Sequence, residues 1–183
     1  MNATLASRLF PARSFTKDAT LVLAGAALTA ICSQIAIPWI PVPFTLQTFA
    51  VLLCGLVLGS RRGMLSQIAF VGGGVAGLPV FQGFAGGYAH LAGPTGGYLI
   101  GFVLAAGLVG LLAERGWDRK FAFAALVMVA GTAVVLAFGW AWLGFYVGWS
   151  KALWVGVLPF LPGEAVKIAA VTLALPSAWR FVR

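Results

Sequence analysis

Long apolar runs alternate along the chain with short segments that carry charge, proline or glycine. A helix needs about 20 apolar residues to cross a bilayer, and the runs are close to that length. The predicted spans are 19–37, 44–60, 63–80, 94–113, 121–142 and 154–177. We therefore predict an all-α integral membrane protein with six transmembrane helices in one domain over residues 19–179. A basic N-terminal tail over 1–18 and a short tail over 180–183 complete the chain.

The composition supports this division and excludes several classes of function. The 183 residues are 61% hydrophobic and 9% charged, with a mean hydropathy of +1.00, values that a soluble domain with a solvated surface does not reach. Six spans use nearly the whole length, so we expect no appended nucleotide-binding or hydrolase domain. The net charge is +8. No basic run is interleaved with aromatic residues, so a nucleic acid partner is not expected.

The basic residues predict which ends of the spans face the cytoplasm. With the N-terminus inside, ten of the 12 Lys and Arg residues lie in inner segments, leaving Lys151 outside and Lys167 within a span. Cytoplasmic loops carry the excess of Lys and Arg. We therefore predict a multi-pass protein with both termini in the cytoplasm.

The predicted outer connections are aromatic, rich in glycine and nearly uncharged. They comprise Pro38–Pro43, Pro79–Gly93 and a stretch around 144–159. Irregular backbone persists at membrane depth only where it is buried in protein or lines a cavity. We therefore predict a binding cavity at the outer face. Its candidate aromatic walls are Trp39, Phe44, Phe81, Phe84 and Tyr88.

Several other residues invite a structural and a functional interpretation. Gly72, Gly73, Gly74 and Gly77 indicate a third helix that is either broken or very closely packed. Ala26 and Ala30 form a small-xxx-small pair that suits tight packing by another helix. His90 is the only histidine. It is interpreted as a loop residue, with a ligand or pH role as the alternative. Cys32 and Cys54 are expected to be buried thiols, and no metal site is predicted.

Glu164 and Lys167 stand three residues apart in the last apolar run, so a helix places them on one face. Ionisable groups are costly within a membrane and usually face a cavity or one another. One interpretation is structural: Glu164 caps a helix that starts after Pro162, and Lys167 pairs with it or extends outward. The other interpretation is functional: the pair binds polar groups of a ligand, together with Thr45 and Gln47 at a similar level of the second span.

Four segments in order resemble the BioY family, the biotin-specific substrate-binding (S) components of energy-coupling factor (ECF) transporters. They are IPVPFTLQTFAVLLCGLVLGSRRG at 40–63, GGVAGLPVF at 73–81, GPTGGYLIGF at 93–102 and LPFLPGEAVK at 158–167. The resemblance implies an S-component-like bundle in a prokaryotic plasma membrane. It also implies biotin capture from outside and uptake with a transmembrane coupling subunit and two ATPase subunits. Contact with the coupling subunit would involve the first helix, at Ala26 and Ala30.

The resemblance also guides the choice of site residues. The family pattern near the last helix is usually Gly-Asp-x-x-Lys, whereas this chain has Glu164 in place of the aspartate. The ureido group of biotin offers two N–H donors and a carbonyl, and its carboxylate needs a donor. The sequence leaves open which of these two ends Lys167 meets, and helix-start N–H groups at 95–97 are another candidate for the carboxylate. The predicted substrate-binding residues are Glu164, Lys167, Gln47, Thr45, Gln82, Tyr88, Tyr98, Phe44 and Phe81. No catalytic residue or cofactor is predicted.

Two other classes of function compete with this interpretation. A proton-coupled secondary transporter would use Glu164 as its proton carrier, yet the spans contain few other acids and no clear inverted repeat. A membrane-embedded enzyme would need a nucleophile with a base or a metal cluster, and the sequence contains neither set.

Overall fold

The computed structural model describes residues 4–9 and 14–181, and of residues 175–178, 180 and 181 the backbone alone. The helices are α1 (Leu5–Leu9), α2 (Phe15–Gln34), α3 (Gln47–Leu58), α4 (Ser60–Val75), α5 (Tyr88–Leu91), α6 (Gly96–Glu114), α7 (Phe121–Val147), α8 (Trp149–Gly156) and α9 (Leu161–Phe181). Short 3₁₀ helices occupy Gln82–Phe84, Trp117–Arg119 and Leu158–Phe160. A two-stranded antiparallel hairpin, β1 (Ala36–Ile37) and β2 (Phe44–Thr45), lies between α2 and α3.

The structure confirms the predicted fold class of an all-α membrane protein. Among the described residues, four helical stretches are long and apolar enough to cross a membrane: Phe15–Gln34, Gly96–Glu114, Phe121–Val147 and Trp149–Ala174. The other two predicted spans coincide with α3 and α4, which have only 12 and 16 residues. A count of six spans is compatible with this arrangement. The helix ends differ from the predicted domain limits, since α2 begins at Phe15 and α9 extends to Phe181.

Helix α6 packs against α3, α4 and α7 and is the most buried long helix of the bundle. Small residues allow these close approaches. A Cβ added to Gly110 would lie 2.3 Å from the backbone nitrogen of Ser60 at the start of α4. A Cβ added to Gly101 would lie 3.0 Å from the Cα of Val135 in α7. Such contacts supply the van der Waals packing that associates helices in lipid.

A buried polar network joins α2 to α4. The Thr29 hydroxyl donates to the carbonyl of Gly25 over 3.0 Å, and Gln67 Nε2 donates to Thr29 Oγ1 over 3.2 Å and to Ser66 Oγ over 3.1 Å. All three polar side chains are fully buried. Because lipid offers no hydrogen bonds, paired polar groups of this kind hold helices in one register.

The helix of the third predicted span continues through three of the four glycines at 72–77. Helix α4 continues through Gly72–Gly74 and ends at Val75. The chain then turns at Gly77, whose φ of +103° suits glycine. A Cβ on Gly74 would lie 2.1 Å from the Phe81 ring. Close packing therefore applies at Gly74, whereas the helix ends before Gly77, inside the predicted span of 63–80.

Charged residues gather at the end of the bundle where α2 and α4 begin and α6 ends. Arg62 pairs with Asp18 at 2.6 Å, and Glu114 Oε1 accepts a 2.8 Å hydrogen bond from the Ser60 amide. In the connection between α6 and α7, the fully buried Asp118 accepts a 2.6 Å hydrogen bond from Trp179 Nε1 of α9. These contacts bring the predicted cytoplasmic segments together at one end.

The small-xxx-small pair, Ala26 and Ala30, and the two cysteines lie within the bundle. Ala26 and Ala30 are half-buried and pack against the hydrophobic core. The exposed positions of α2 beside them include Leu23, Ala27 and Ile31. Cys32 and Cys54 are free and buried, as predicted.

Candidate functional site

The last helix contributes a buried ion pair to the interior of the bundle. Helix α9 begins at Leu161, and Glu164 lies in its first turn, where the helix dipole favours a carboxylate. Lys167 follows one turn later, and its Nζ lies 2.7 Å from Glu164 Oε1. Glu164 is 3% exposed. The pair is therefore shielded from water and depends on protein partners.

Each donor of the Lys167 ammonium has an acceptor in the protein. Nζ donates to Glu164 Oε1, to the backbone carbonyl of Thr45 and to Thr48 Oγ1, each at 2.7 Å. The Thr48 hydroxyl in turn donates to Glu164 Oε1 over 2.7 Å. An ammonium has three N–H donors, so these three bonds use all of them. Lys167 therefore positions Glu164 and Thr48 and has no donor to spare.

The second oxygen of Glu164 has the opposite character. Oε2 is buried and has no hydrogen-bond partner among the described residues. Glu164 lines a cavity inside the bundle. A buried carboxylate oxygen without a partner is costly, and such groups need an explanation. An unsatisfied acceptor on a side chain that lines a cavity is a candidate partner for a hydrogen-bond donor of a ligand.

The extended segment before α3 supplies the rest of the polar wall. Thr45 ends strand β2. Its hydroxyl donates to the side-chain oxygen Oε1 of Gln47 over 3.0 Å and accepts a hydrogen bond from the backbone N–H of Gln47 over 3.3 Å. The hydroxyl therefore satisfies a backbone donor at the start of α3. Thr45, Gln47 and Thr48 all line the inner cavity. The site thus combines one carboxylate with uncharged hydroxyl and amide groups.

Two adjoining cavities open from this site toward the outer connections. The inner cavity, which contains Glu164, measures about 50 Å³, and the outer cavity measures about 710 Å³. Small-molecule sites usually measure about 300–1,000 Å³. A ligand that reaches Glu164 therefore extends into the outer cavity or widens the inner one. The residues common to both cavities are Pro43, Gln82, His90 and Thr95.

Aromatic and aliphatic side chains form the apolar walls. Phe160 lines the inner cavity and packs against Phe44 with ring centroids 4.4 Å apart. The Tyr98 ring lines the same cavity, while its hydroxyl donates to the carbonyl of Gly156 over 2.6 Å. The remaining apolar lining of the inner cavity is Val42, Leu99, Phe102, Val135 and Leu136.

The structure brings together most, but not all, of the predicted site residues. Glu164, Thr45, Gln47, Gln82 and Tyr98 line the cavities. The other four are placed differently. Lys167 lines neither cavity and donates a hydrogen bond to Glu164, and the Phe44 ring packs against Phe160. Phe81 is fully buried and stacks on His90. Tyr88 lines neither cavity and is 68% exposed.

Sequence reasoning missed Thr48 and Phe160. Thr48 links the ion pair to α3, and the signal for it was the spacing of Thr45 and Thr48 in TLQT, which repeats a hydroxyl after three residues. Phe160 stands four residues before Glu164, in the same resembling segment. The described residues contain no group of three or more His, Cys, Asp or Glu side chains that is arranged to hold a metal ion.

Comparison with known proteins relates this arrangement to a family of transporters. A family model described as "BioY family" matches residues 1–183. A probable biotin transporter BioY from Pyrococcus horikoshii is 44% identical over 86% of this chain and 93% of its own. The biotin transporter BioY from Thermotoga maritima is 45% identical over 80% of this chain and 86% of its own.

A solved structure gives the same result at the level of the fold. The crystal structure of the S-component for biotin from an ECF-type ABC transporter superposes with a TM-score of 0.77 at 28% identity. The match covers 92% of this chain and 95% of the other. These relatives are named as transport proteins rather than as enzymes, in agreement with the prediction of a non-enzymatic protein. The chain belongs to the BioY family.

Proposed function

We propose that this protein binds biotin within the membrane and mediates its uptake together with an ECF coupling subunit and ATPase subunits. The curated relatives are named biotin transporters, and the matched crystal structure is the S-component for biotin. These findings favour this function over a proton-coupled secondary transporter. Cavities near the outer connections lead to a buried polar group, which suits capture from outside.

The buried Oε2 of Glu164 is the observation on which the binding site depends. This oxygen is an acceptor without a described partner, on a side chain that lines the inner cavity, while the neighbouring Lys167 is fully engaged by protein acceptors. The group that meets Glu164 must therefore be a donor. The ureido ring of biotin presents N–H groups, and its carbonyl can accept from the amide of Gln47 at the same wall.

The same electrostatics orient the rest of the ligand. A carboxylate placed beside Glu164 would meet a like charge in a poorly solvated site, which is strongly unfavourable. The carboxylate of biotin therefore points away from Glu164, toward the rim shared with the outer cavity. The fused rings lie between, against Phe160 and Tyr98. In this orientation Lys167 holds the carboxylate of Glu164 in place and does not itself contact the ligand.

We further propose that both termini lie in the cytoplasm and that α2 meets the coupling subunit. The positive-inside distribution supports this orientation, as does the cluster of charged contacts at one end of the bundle. Ala26 and Ala30 are half-buried against the core. A partner helix would therefore approach across the exposed neighbours Ala27 and Ile31.

Radiolabelled biotin binding to the purified chain in detergent tests the proposal. We expect saturable binding without any other subunit. Replacing the Glu164 carboxylate by an amide in Glu164→Gln should weaken binding roughly 10- to 150-fold, since a hydrogen bond to a charged group contributes about 1.5–3 kcal/mol. Lys167→Ala should weaken binding as well, because Glu164 loses its orientation.

The matched control is Lys151→Ala, which removes an exposed lysine from α8 and should leave the affinity unchanged. Mass spectrometry of the small molecules that copurify with the chain provides an independent identification of the ligand. Parent affinity in both site variants would remove the ion pair from the site. Failure of the parent chain to bind biotin would refute the proposed ligand.

A further inference from the structure

The rim between the two cavities contains one titratable side chain, His90. The other rim residues are Pro43, Gln82 and Thr95, none of which ionises in the physiological range. The inner cavity adds Glu164 and Tyr98, and the outer cavity adds no further charged or titratable group. A ligand that passes from the inner to the outer cavity passes the imidazole.

We propose that His90 binds the carboxylate of the ligand at this rim and recognises it as the charged imidazolium. This inference rests on the proposed function, because it assumes a ligand whose donor end meets Glu164 and whose other end is anionic. Gln82 flanks the same position and offers further amide N–H donors. Glu164 thereby recognises the hydrogen-bond donors at one end of the ligand, and His90 recognises the carboxylate at the other end.

The fold holds the imidazole at the rim. The His90 ring stacks on Phe81 with ring centroids 4.7 Å apart and an interplanar angle of 16°. Phe81 is fully buried and packs edge-on against Phe70. The backbone is fixed as well, because the His90 carbonyl accepts a 3.4 Å hydrogen bond from Thr95 Oγ1. In the described structure no side-chain hydrogen bond uses the ring nitrogens of His90, so they are available to a ligand.

The elements packed around His90 carry few charges near its imidazole, so a bound ligand can change the protonation state of the ring. Segment 35–58, which contains the hairpin and α3, has no charged residue. Helices α4 and α6 pack against α5 and carry their charges, Arg61, Arg62 and Glu114, at their opposite ends. The inner cavity adds the carboxylate of Glu164, which is paired with Lys167, and α8 carries the exposed Lys151. The start of α6 at Gly96 adds the positive end of a helix dipole.

Protonation then couples to binding in a defined direction. Burial lowers the pKa of His90 below its ordinary value, so the imidazole of the empty site is neutral at pH 7 and above. A bound carboxylate stabilises the imidazolium and raises this pKa. Binding therefore takes up a proton over the interval between the two pKa values, and affinity falls as the pH rises through it. A neutral ligand tail produces no such dependence.

Binding of biotin and of biotin methyl ester, compared between the parent chain and His90→Gln, tests the inference. The parent should prefer biotin by roughly tenfold or more at pH 6, the effect expected of a hydrogen bond between charged groups. This preference should shrink toward pH 8. His90→Gln retains a hydrogen-bonding side chain without the charge. It should bind the ester like the parent and lose most of the preference for biotin. Tyr88→Phe, an exposed change in the same short helix, should behave like the parent.

A measurement on the unmodified chain removes any dependence on a variant that folds poorly. Because His90 is the only histidine, histidine-labelled protein without a polyhistidine tag gives a single imidazole NMR signal. Its pKa should rise when biotin is added and stay unchanged with the methyl ester. Equal preference for biotin in the parent and His90→Gln, or an imidazole pKa that biotin does not move, would overturn the role of His90 while leaving the proposed function intact. If the parent binds neither compound, the proposed function itself fails.

Discussion

Replacing Lys167 by methionine separates the two roles of the ion pair. The substitution preserves most of the length and apolar stem of the side chain but removes the ammonium that serves Glu164, Thr48 and the Thr45 carbonyl. Glu164 is then a buried carboxylate whose remaining described partner is the Thr48 hydroxyl. We expect Lys167→Met to destabilise the fold and to weaken biotin binding.

The size of the effect follows from the burial of both partners. The side chains of Lys167 and Glu164 are 16% and 4% exposed, so solvent screens neither effectively. Breaking a buried pair by removing one partner costs about 3–5 kcal/mol. At about 2–4 °C per kcal/mol for a chain of this size, the melting temperature should fall by roughly 6–20 °C. The double variant Glu164→Gln/Lys167→Met leaves no unpaired charge and should recover at least half of this loss.

The buried thiols of Cys32 and Cys54 provide the assay. A maleimide dye that fluoresces on reaction with a thiol reports unfolding in detergent, because both thiols react only when the bundle opens. Lys151→Met, which changes an exposed lysine, is the control and should melt like the parent. A Lys167→Met variant that melts within about 2 °C of the parent, or a double variant that is less stable than the single one, would contradict this expectation.

Three further changes test other contacts. Thr48→Val removes the hydroxyl that links α3 to the ion pair; the affinity for biotin in a filter-binding assay should fall by roughly tenfold or more. Gly74→Ala places a methyl group 2.1 Å from the Phe81 ring and should destabilise the bundle by about 1–3 kcal/mol in the thiol assay. Burial raises the pKa of Asp118, so the native state binds this proton more readily than the unfolded chain. Stability then falls as the pH rises from the unfolded pKa through the higher pKa of the native state, and Asp118→Asn should melt higher than the parent at pH 7 but not at pH 4.

The positions of the helices are predictable because they depend on local apolar runs. Five of the predicted spans each overlap one helix, although α3 begins at Gln47 rather than at residue 44 and α4 ends at Val75 rather than at residue 80. The sixth, 154–177, is divided among the end of α8, a 3₁₀ helix and α9. The difference at α3 has a physical cause, since Phe44 and Thr45 pair with β1 as strand β2 instead of entering the helix. The hairpin between Ala36 and Thr45 was not predicted. Two strands of two residues leave too short an alternating pattern to be recognised.

The site was predictable as far as it depends on residue type, and less so where it depends on contacts between distant segments. Glu164 and Lys167 stand out because charge is rare in an apolar run. The partners of Lys167 at Thr45 and Thr48 lie more than 100 residues earlier, and a helical threonine usually bonds to its own backbone. Tyr88 was expected in the cavity as a loop aromatic, yet α5 leaves it largely exposed.

The short third helix explains why a lysine is needed at this depth. Helix α3 has 12 residues and is about 18 Å long, less than the roughly 30 Å hydrocarbon core. The extended segment before it places the Thr45 carbonyl outside any helical ladder, and a backbone carbonyl without a partner is costly where water is excluded. Lys167 supplies that partner and at the same time holds Glu164. The two interpretations of the charged pair therefore divide between its members: Lys167 supports the backbone, which leaves one oxygen of Glu164 for the ligand that we propose.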